Sequence, residues 1–316
     1  MRETIPVTSE EQWLDLRRED ITSTMIPALY GLSPYTTRFE IYHAKASGIE
    51  LPFASNERVE KGARMEAYAA QEVALRTGWK VEPFKDYMRI PGARAGCSFD
   101  CIATKPDGSR GILEIKAVDF FRHRDLWVED QAPEHIEIQL QFQLEVADEF
   151  DWGAIAAFTG IYDFTLYERA RDLEMGSAMR ATVNAFWEDV DARRAPDPDF
   201  ARDEDVIAAL FRQTRDQPLD MTGSDTFDEL LARFDRWKLT EKEAKACADA
   251  AKAEIHFRLA DAGAAFTERY KVTAGWTKDT PGKPITADMV GTITGARAGY
   301  RQCLVKDLTI ARGAKI

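Results

Sequence analysis

Two short runs hold the residues whose types and spacing could do chemistry: Gly96-Cys97-Ser98-Phe99-Asp100-Cys101 and Gly111-Ile112-Leu113-Glu114-Ile115-Lys116. Both read as strands, and alternation puts Cys97, Phe99 and Cys101 on one face, with Ser98 and Asp100 on the other. The same rule sets Leu113 and Ile115 against Glu114 and Lys116. Between the runs, Lys105-Pro106-Asp107-Gly108 is a turn, so the two strands form a hairpin on which Asp100, Glu114 and Lys116 converge. Paired carboxylates repel unless a cation lies between them. With a hard divalent ion this set suits phosphodiester hydrolysis: the metal polarises the phosphoryl oxygen and acidifies a water, and the lysine orients or deprotonates that water. A solvated amphipathic hairpin gives the same letters, so the D-x13-E-x-K spacing alone does not separate the two readings.

The elements that must position these residues are legible on both sides. Ser9-Glu10-Glu11-Gln12 fits a capping box, opening a helix that carries Trp13 and Leu16 and ends near Arg17. Thr22-Ser23-Thr24 offers N-cap residues for a short second helix that Gly31 and Pro34 stop. A third helix spans roughly 56–78, with Val59, Ala63, Ala67, Ala70 and Ala74 on its buried face and Glu66 in its middle. After the hairpin, Pro133-Glu134 opens a helix to about Val146. Strands follow at Trp152 to Phe158 and Tyr162 to Tyr167, then a helix over about 173–193 with Met179, Val183, Phe186 and Val190 inward. Ala195-Pro196-Asp197-Pro198-Asp199 cannot continue it, which places a domain boundary near 200. Beyond lie a charged helix or helical hairpin over Phe227 to Ala262 and short strands at Phe266 to Trp276 and Tyr300 to Leu308.

The 316 residues are 45% hydrophobic and 30% charged, a globular composition, with 42 Lys plus Arg against 54 Asp plus Glu and a formal charge of −12. That balance is opposite to the bulk signature of a nucleic-acid binder, so any DNA contact must use local patches. Four scattered cysteines make neither a disulfide framework nor a CxxC metal site. No run is long and apolar enough for a signal peptide or membrane span, which points to a reducing cytoplasm. His43, His135 and His256 lack nucleophile or ligand spacing and read as structural.

Over roughly residues 10–195 the chain resembles the YqaJ-type viral recombinases, relatives of bacteriophage lambda exonuclease within the PD-(D/E)xK nuclease superfamily. The resemblance rests on G-x-x-x-E at Gly62 and Glu66, S-x-D at Ser98 and Asp100, E-x-K at Glu114 and Lys116, and Q-x-Q at Gln139 and Gln141. It also rests on Phe186-Trp187 before Pro196, and on W-x3-R with a following hydroxyl residue and glycine: Trp13, Arg17, Thr24 and Gly31. Thr24 stands where Ser is commoner, and Ala67 follows Glu66 where many relatives have Pro.

The resemblance implies an α/β (α+β) fold with a restriction-endonuclease-like core: a central mixed sheet flanked by helices over residues 1–200, and a helical C-terminal extension over 201–316. It implies a Mg²⁺-dependent exonuclease, with Mn²⁺ an expected substitute, acting from the 5′ ends of linear double-stranded DNA in phage-type recombination. The carried-over catalytic set is Glu66, Asp100, Glu114, Lys116 and Gln139, with metal ligands Asp100, Glu114, the Ile115 carbonyl and Glu66. Arg17, Thr24 and Ser98 would form a 5′-phosphate pocket, with Arg122 and Arg124 as further DNA contacts. The implied partners are DNA ends, a single-strand annealing protein and further copies of the chain, a trimeric ring among the options, in a bacterial cytoplasm and without a membrane. Plain alternatives stand beside these roles: Glu66 as a solvated helix residue, Gln139 as a surface amide, Arg17 paired with Glu19 or Asp20, and Arg122-His123-Arg124 as a solvated loop. At the level of the whole chain, a restriction-like endonuclease on the same core and a non-catalytic DNA-binding scaffold are the rivals.

Overall fold

A computed structural model describes residues 2–49, 57–127, 131–159, 164–212, 217, 219–279 and 304–307, with the side chains of 57–64, 120–122 and 304–307 left aside. It divides into two units, Met1–Thr214 and Arg215–Ile316.

In the first unit the elements run β1 (Glu3–Pro6), α1 (Glu10–Glu19), β2 (Ile21–Thr22), α2 (Ile26–Leu29), α3 (Arg38–Ser47), α4 (Glu57–Thr77), β3 (Lys80–Pro83), β4 (Asp86–Ile90), β5 (Ala95–Cys97), β6 (Cys101–Thr104) and β7 (Arg110–Ala117). They continue with α5 (Phe120–Leu126), α6 (Glu134–Val146), β8 (Trp152–Phe158), β9 (Phe164–Ala170), α7 (Leu173–Asp191) and α8 (Glu204–Leu210). The mixed sheet has the order β3-β6-β7-β8-β9, with β7 and β8 parallel and the remaining pairs antiparallel. A smaller sheet, β1-β4-β5-β2, pairs the N-terminal strand with the segment before the hairpin.

Strand β8 is apolar along its length, and β7 is apolar at Ile112, Leu113 and Ile115, because each face of the larger sheet is covered. On one side Ala69, Ala70 and Val73 of α4 meet Leu113, Ala154 and Ala156. On the other, Leu140 and Leu144 of α6 and Met179, Val183 and Phe186 of α7 meet Ile112 and Ile155. Gly153 is what lets α6 lie so close to β8, since a Cβ there would meet Leu140 Cδ1 at 2.7 Å. Deeper along α6, Glu145 is buried yet paired with Arg2, Arg171 and Arg180 at 3.3, 3.1 and 2.8 Å, which ties the N-terminus and α7 to this helix.

Local chemistry explains the ends of the elements. Ser9 Oγ accepts from the Gln12 N–H at 3.1 Å, while the Gln12 side chain accepts from Thr8 rather than Ser9, so the capping box closes one residue early. At the other end of α1, Lys45 Nζ donates to the carbonyls of Arg17, Arg18 and Asp20, placing a cation where the helix dipole is negative. The hairpin turn forms as expected: Gly108 takes φ +88°, and Asp107 accepts from the Ser109 N–H and hydroxyl.

Several expectations are corrected. The run Cys97 to Ala103 is not one strand: β5 belongs to the small sheet and β6 to the large one, with Ser98–Asp100 as the link. The break sends Cys97 and Phe99 into the α6-side core and Cys101 into the α4-side core, so the three do not share a face. On α4, Ala67 is exposed and the inward residues are Ala69, Ala70 and Val73; Val59 and Ala63 lie outside the described side chains. The N-cap of α2 is Met25, without a side-chain cap, and Thr24 stands before it. The first unit continues past the proline-rich segment because α8 buries Val206, and Asp203, also buried, accepts from the Thr37 hydroxyl. Helix α3 and strand β1 were not anticipated at all.

The second unit holds α9 (Asp225–Leu259), one continuous helix rather than a hairpin, and an antiparallel sheet of β10 (Ala264–Phe266), β11 (Tyr270–Thr273) and β12 (Leu304–Asp307). Among the described residues no helix is long and apolar enough to cross a membrane.

Gly96 tests the small sheet's packing, because a Cβ there would overlap the Tyr87 ring and hydroxyl, whereas one on Gly92 meets nothing. Gly96→Ala should cost about 1–3 kcal/mol in urea denaturation, and Gly92→Ala should leave the midpoint unchanged or raise it.

Candidate active site

The site begins with a carboxylate buried on the central strand. Glu114 is 5% exposed, which a charged group tolerates only when its oxygens are matched by donors. Its Oε1 accepts from Lys116 Nζ at 2.7 Å and from Gln139 Nε2 at 2.6 Å, and its Oε2 accepts from Gln143 Nε2 at 2.8 Å. Alternation on β7 aims Glu114 and Lys116 to the α6 side, and the i, i+4 spacing of Gln139 and Gln143 puts both amides on the helix face that crosses it. Lys116 Nζ also reaches Gln139 Oε1 at 3.2 Å, closing the network.

Asp100 comes from the β5–β6 link. Its Oδ2 accepts from the Ile115 N–H at 2.6 Å, which locks the carboxylate beside β7 one position from Glu114. In an extended strand the N–H and C=O of one residue face the same neighbour, so the Ile115 carbonyl is directed to this side as well. Burial, and then the nearby Glu114 charge, hold the Asp100 carboxyl well above its ordinary value. Glu66 is raised in the same way, by burial and then by Glu114. For Lys116 burial opposes the charge, but Glu114 outweighs it and keeps the ammonium above its usual range. In this arrangement Lys116 is a proton-bearing group that orients its neighbours.

A cleft of about 440 Å³ joins these groups to the expected phosphate pocket, its walls including Trp13, Arg17, Thr24, Glu66, Ser98, Asp100, Glu114, Lys116 and Gln139. Arg17 does not pair with Glu19 or Asp20, because Arg89 takes both at 2.9 and 2.7 Å. Its guanidinium lies over the Trp13 ring at 4.4 Å and donates to Thr24 Oγ1 at 3.0 Å. The Trp13 indole N–H donates to Ser98 Oγ at 3.2 Å, so one aromatic side chain holds both the arginine and the serine.

Two buried carboxylates side by side, next to a directed carbonyl, suit one divalent cation, which would relieve their mutual repulsion. Among the described residues no three His, Cys, Asp or Glu side chains cluster as a metal site. Glu66 lines the same cleft, and its charge acts on Asp100.

Residues 12–149 match the model of the YqaJ-like viral recombinase domain. The matched span lies within the first unit. One relative, the uncharacterized protein YqaJ of Bacillus subtilis (strain 168), is 24% identical over 292 residues, covering 90% of this chain and 86% of that protein. Among solved structures, the chain is similar to the alkaline exonuclease LHK-Exo from Laribacter hongkongensis at 17% identity and a TM-score of 0.48, covering 58% of this chain and 93% of that one. A phage-related exonuclease from Haemophilus somnus 129PT is 14% identical, with a TM-score of 0.43, 55% of this chain and 96% of that one being covered.

The cleft thus gathers Arg17, Thr24, Ser98, Glu66, Asp100, Glu114, Lys116 and Gln139, and leaves others out. Arg124 lies outside the cleft and pairs with Asp125 at 2.8 Å, and the Arg122 side chain is outside the described residues. Gln141 faces away: its amide donates to the Ala170 carbonyl and accepts from the Asp172 N–H, bracing the β9–α7 corner. The residue missed was Gln143, which also donates to the Ser98 carbonyl at 3.3 Å, joining Glu114 to the Ser98–Asp100 link. The i, i+4 spacing from Gln139 would have found it.

Gln143→Leu should lower turnover by about tenfold or more and also destabilise the fold, because buried Glu114 Oε2 and the Ser98 carbonyl both lose their donor. Gln141→Leu should leave turnover near normal, with a loss of about 1–3 kcal/mol from two unmet backbone groups. Parallel turnover assays and thermal melts check both.

Proposed function

We propose that this chain is a Mg²⁺-dependent exonuclease that enters linear double-stranded DNA at 5′ ends and leaves single-stranded 3′ tails. The observation that carries the reading is the shared cleft: the anion-binding group of Arg17, Thr24 and Ser98 and the set Asp100, Glu114, Lys116 and Gln139 are walls of one cavity. The family match supports the nuclease class, and the neighbours named as exonucleases agree with it.

The residues divide the work. Arg17 offers a planar donor fork to a terminal phosphate, and the Thr24 and Ser98 hydroxyls supply further donors to it. Trp13 fixes the angle of that fork, since it packs on the guanidinium and bonds Ser98. Asp100, Glu114 and the Ile115 carbonyl would hold the cation, which when bound polarises the phosphoryl oxygen and acidifies a water. Lys116 presents an ammonium toward the scissile group, and Gln139, bonded to both Lys116 and Glu114, keeps the two aligned. DNA ends, a single-strand annealing protein and further copies of the chain, a three-membered ring included, are the partners this reading calls for, in the cytoplasm of a phage-bearing host.

Purified protein with Mg²⁺ should release label rapidly from the 5′ end of a linear duplex, later from the 3′ end, and leave a covalently closed circle intact. Cutting of the circle would replace this reading with an endonuclease. Asp100→Asn and Lys116→Ala should each lower turnover by at least about a hundredfold while keeping the fold by circular dichroism, and excess chelator should abolish turnover of the native chain in the same way. Arg17→Ala should instead remove the preference for 5′-phosphorylated over unphosphorylated ends; equal loss on both would argue against the pocket.

A further inference from the structure

The C-terminal segment concentrates positive charge that the chain as a whole lacks. Residues 262–316 hold nine Lys or Arg against four Asp or Glu, although the complete chain carries 42 against 54. Sheet register sorts part of this charge onto one surface. Residues directly opposite each other in antiparallel strands share a face, so Phe266, Lys271 and Lys306 form one row across β10, β11 and β12. The next row on that face is Ala264, Thr273 and Leu304, and no carboxylate takes a register position there among the described residues. The opposite face carries the apolar row Ala265, Val272 and Val305, with Tyr270 opposite Asp307 beside it. The sheet is therefore two-sided, one face apolar and the other basic.

The aromatic residues decide what the basic face suits. Phe266 is 69% exposed, and Lys271 Nζ stands 5.4 Å from its ring centroid. Trp276, shortly after β11, is 73% exposed. An open ring beside a lysine, as at Phe266, matches a strand whose bases are unpaired: each base offers a π-face to stack on, and each phosphate a charge to neutralise. In a duplex those base faces are already stacked on one another, so the rings would gain little.

We infer that the Phe266–Lys271–Lys306 face of this small sheet binds single-stranded DNA. The inference deepens the proposed nuclease reading, because a single strand is what that reaction leaves behind, and it names a second nucleic-acid site apart from the cleft.

The test uses the full chain in EDTA, so that cleavage plays no part, and follows fluorescein-labelled oligo(dT) by anisotropy across a salt series. Phe266→Ala with Lys271→Ala and Lys306→Ala should weaken binding by about tenfold or more and reduce the slope of log affinity against log salt by about 1.4, the value for two lost phosphate contacts on a single strand. Lys271→Arg with Lys306→Arg should restore both. Ala264→Lys, an exposed position on the same face, should tighten binding instead. Unchanged oligo(dT) affinity in the triple alanine variant would overturn the inference, and so would a duplex of equal length competing as well as the single strand through the same residues. If the native chain proves inactive on every DNA while these binding differences hold, the exonuclease reading fails and this site stands.

Discussion

A carboxylate buried on the central strand sets the terms for the rest of the first unit. Removing an ion from water costs several kcal/mol even after relaxation, so Glu114 can sit inside only if its oxygens are matched within the fold. Three side chains match them: Lys116 from the same strand, and Gln139 and Gln143 from α6. That demand fixes where α6 must cross β7, and the parallel β7–β8 pair supplies the crossover that carries α6 there. Gly153 then matters to the site although it lies outside it, since its missing side chain lets Leu140 settle against β8 and brings the two glutamines within reach. Glu145, farther along α6, is held by three arginines, so the helix that serves the site is itself pinned by charge.

The break at Ser98–Asp100 is the second constraint. A continuous strand would have kept Asp100 in a regular ladder, with its backbone paired and its side chain one among several on a flat face. The link between the two sheets instead lets the Asp100 carboxylate accept from the Ile115 N–H, while the Asp100 carbonyl accepts from Phe84 at 3.0 Å. It also places Ser98 beside Trp13 of α1. The cleft exists because the sheets part there: α1, the turn before α2 and the link after β5 bring Arg17, Thr24 and Ser98, and the large sheet with α6 brings the carboxylates and the lysine.

Much of this was legible in the residues. Alternation on β7 gave the Glu114 and Lys116 face correctly, since a strand buried on both sides still obeys the period of two. The hairpin turn and the helix from Pro133 followed from local chemistry that tertiary context does not override. The Cys97–Ala103 run misled because a strand that changes sheets keeps its apolar alternation through the kink, so Cys101 reads as the continuation of Cys97 and Phe99. Gln141 misled for another reason. A Q-x-Q match treats two amides as equivalent, whereas on a helix residues two apart point to different sides, and the partner of Gln139 is four residues on. Arg17 could not be resolved from sequence because Glu19 and Asp20 are its neighbours in the chain, and only the fold shows that Arg89 occupies both.

The charge of the cleft bears on how an acidic chain would handle DNA. Its lining has the cations Arg17, Lys85 and Lys116 against the acids Glu66, Asp86, Asp100 and Glu114, so phosphate meets a wall that is not positive on balance. On the proposed reading a divalent cation changes that sign as well as supplying chemistry, because it is the largest local charge in such a site. Substrate entry and catalysis would then depend on the same ion, and the cleft by itself would hold DNA weakly. A chain built this way gains from a separate basic surface whose affinity does not depend on the metal. The inferred face of the small C-terminal sheet would be such a surface, while the acidic balance of the chain limits the nonspecific attraction that a uniformly basic protein would have for any polyanion.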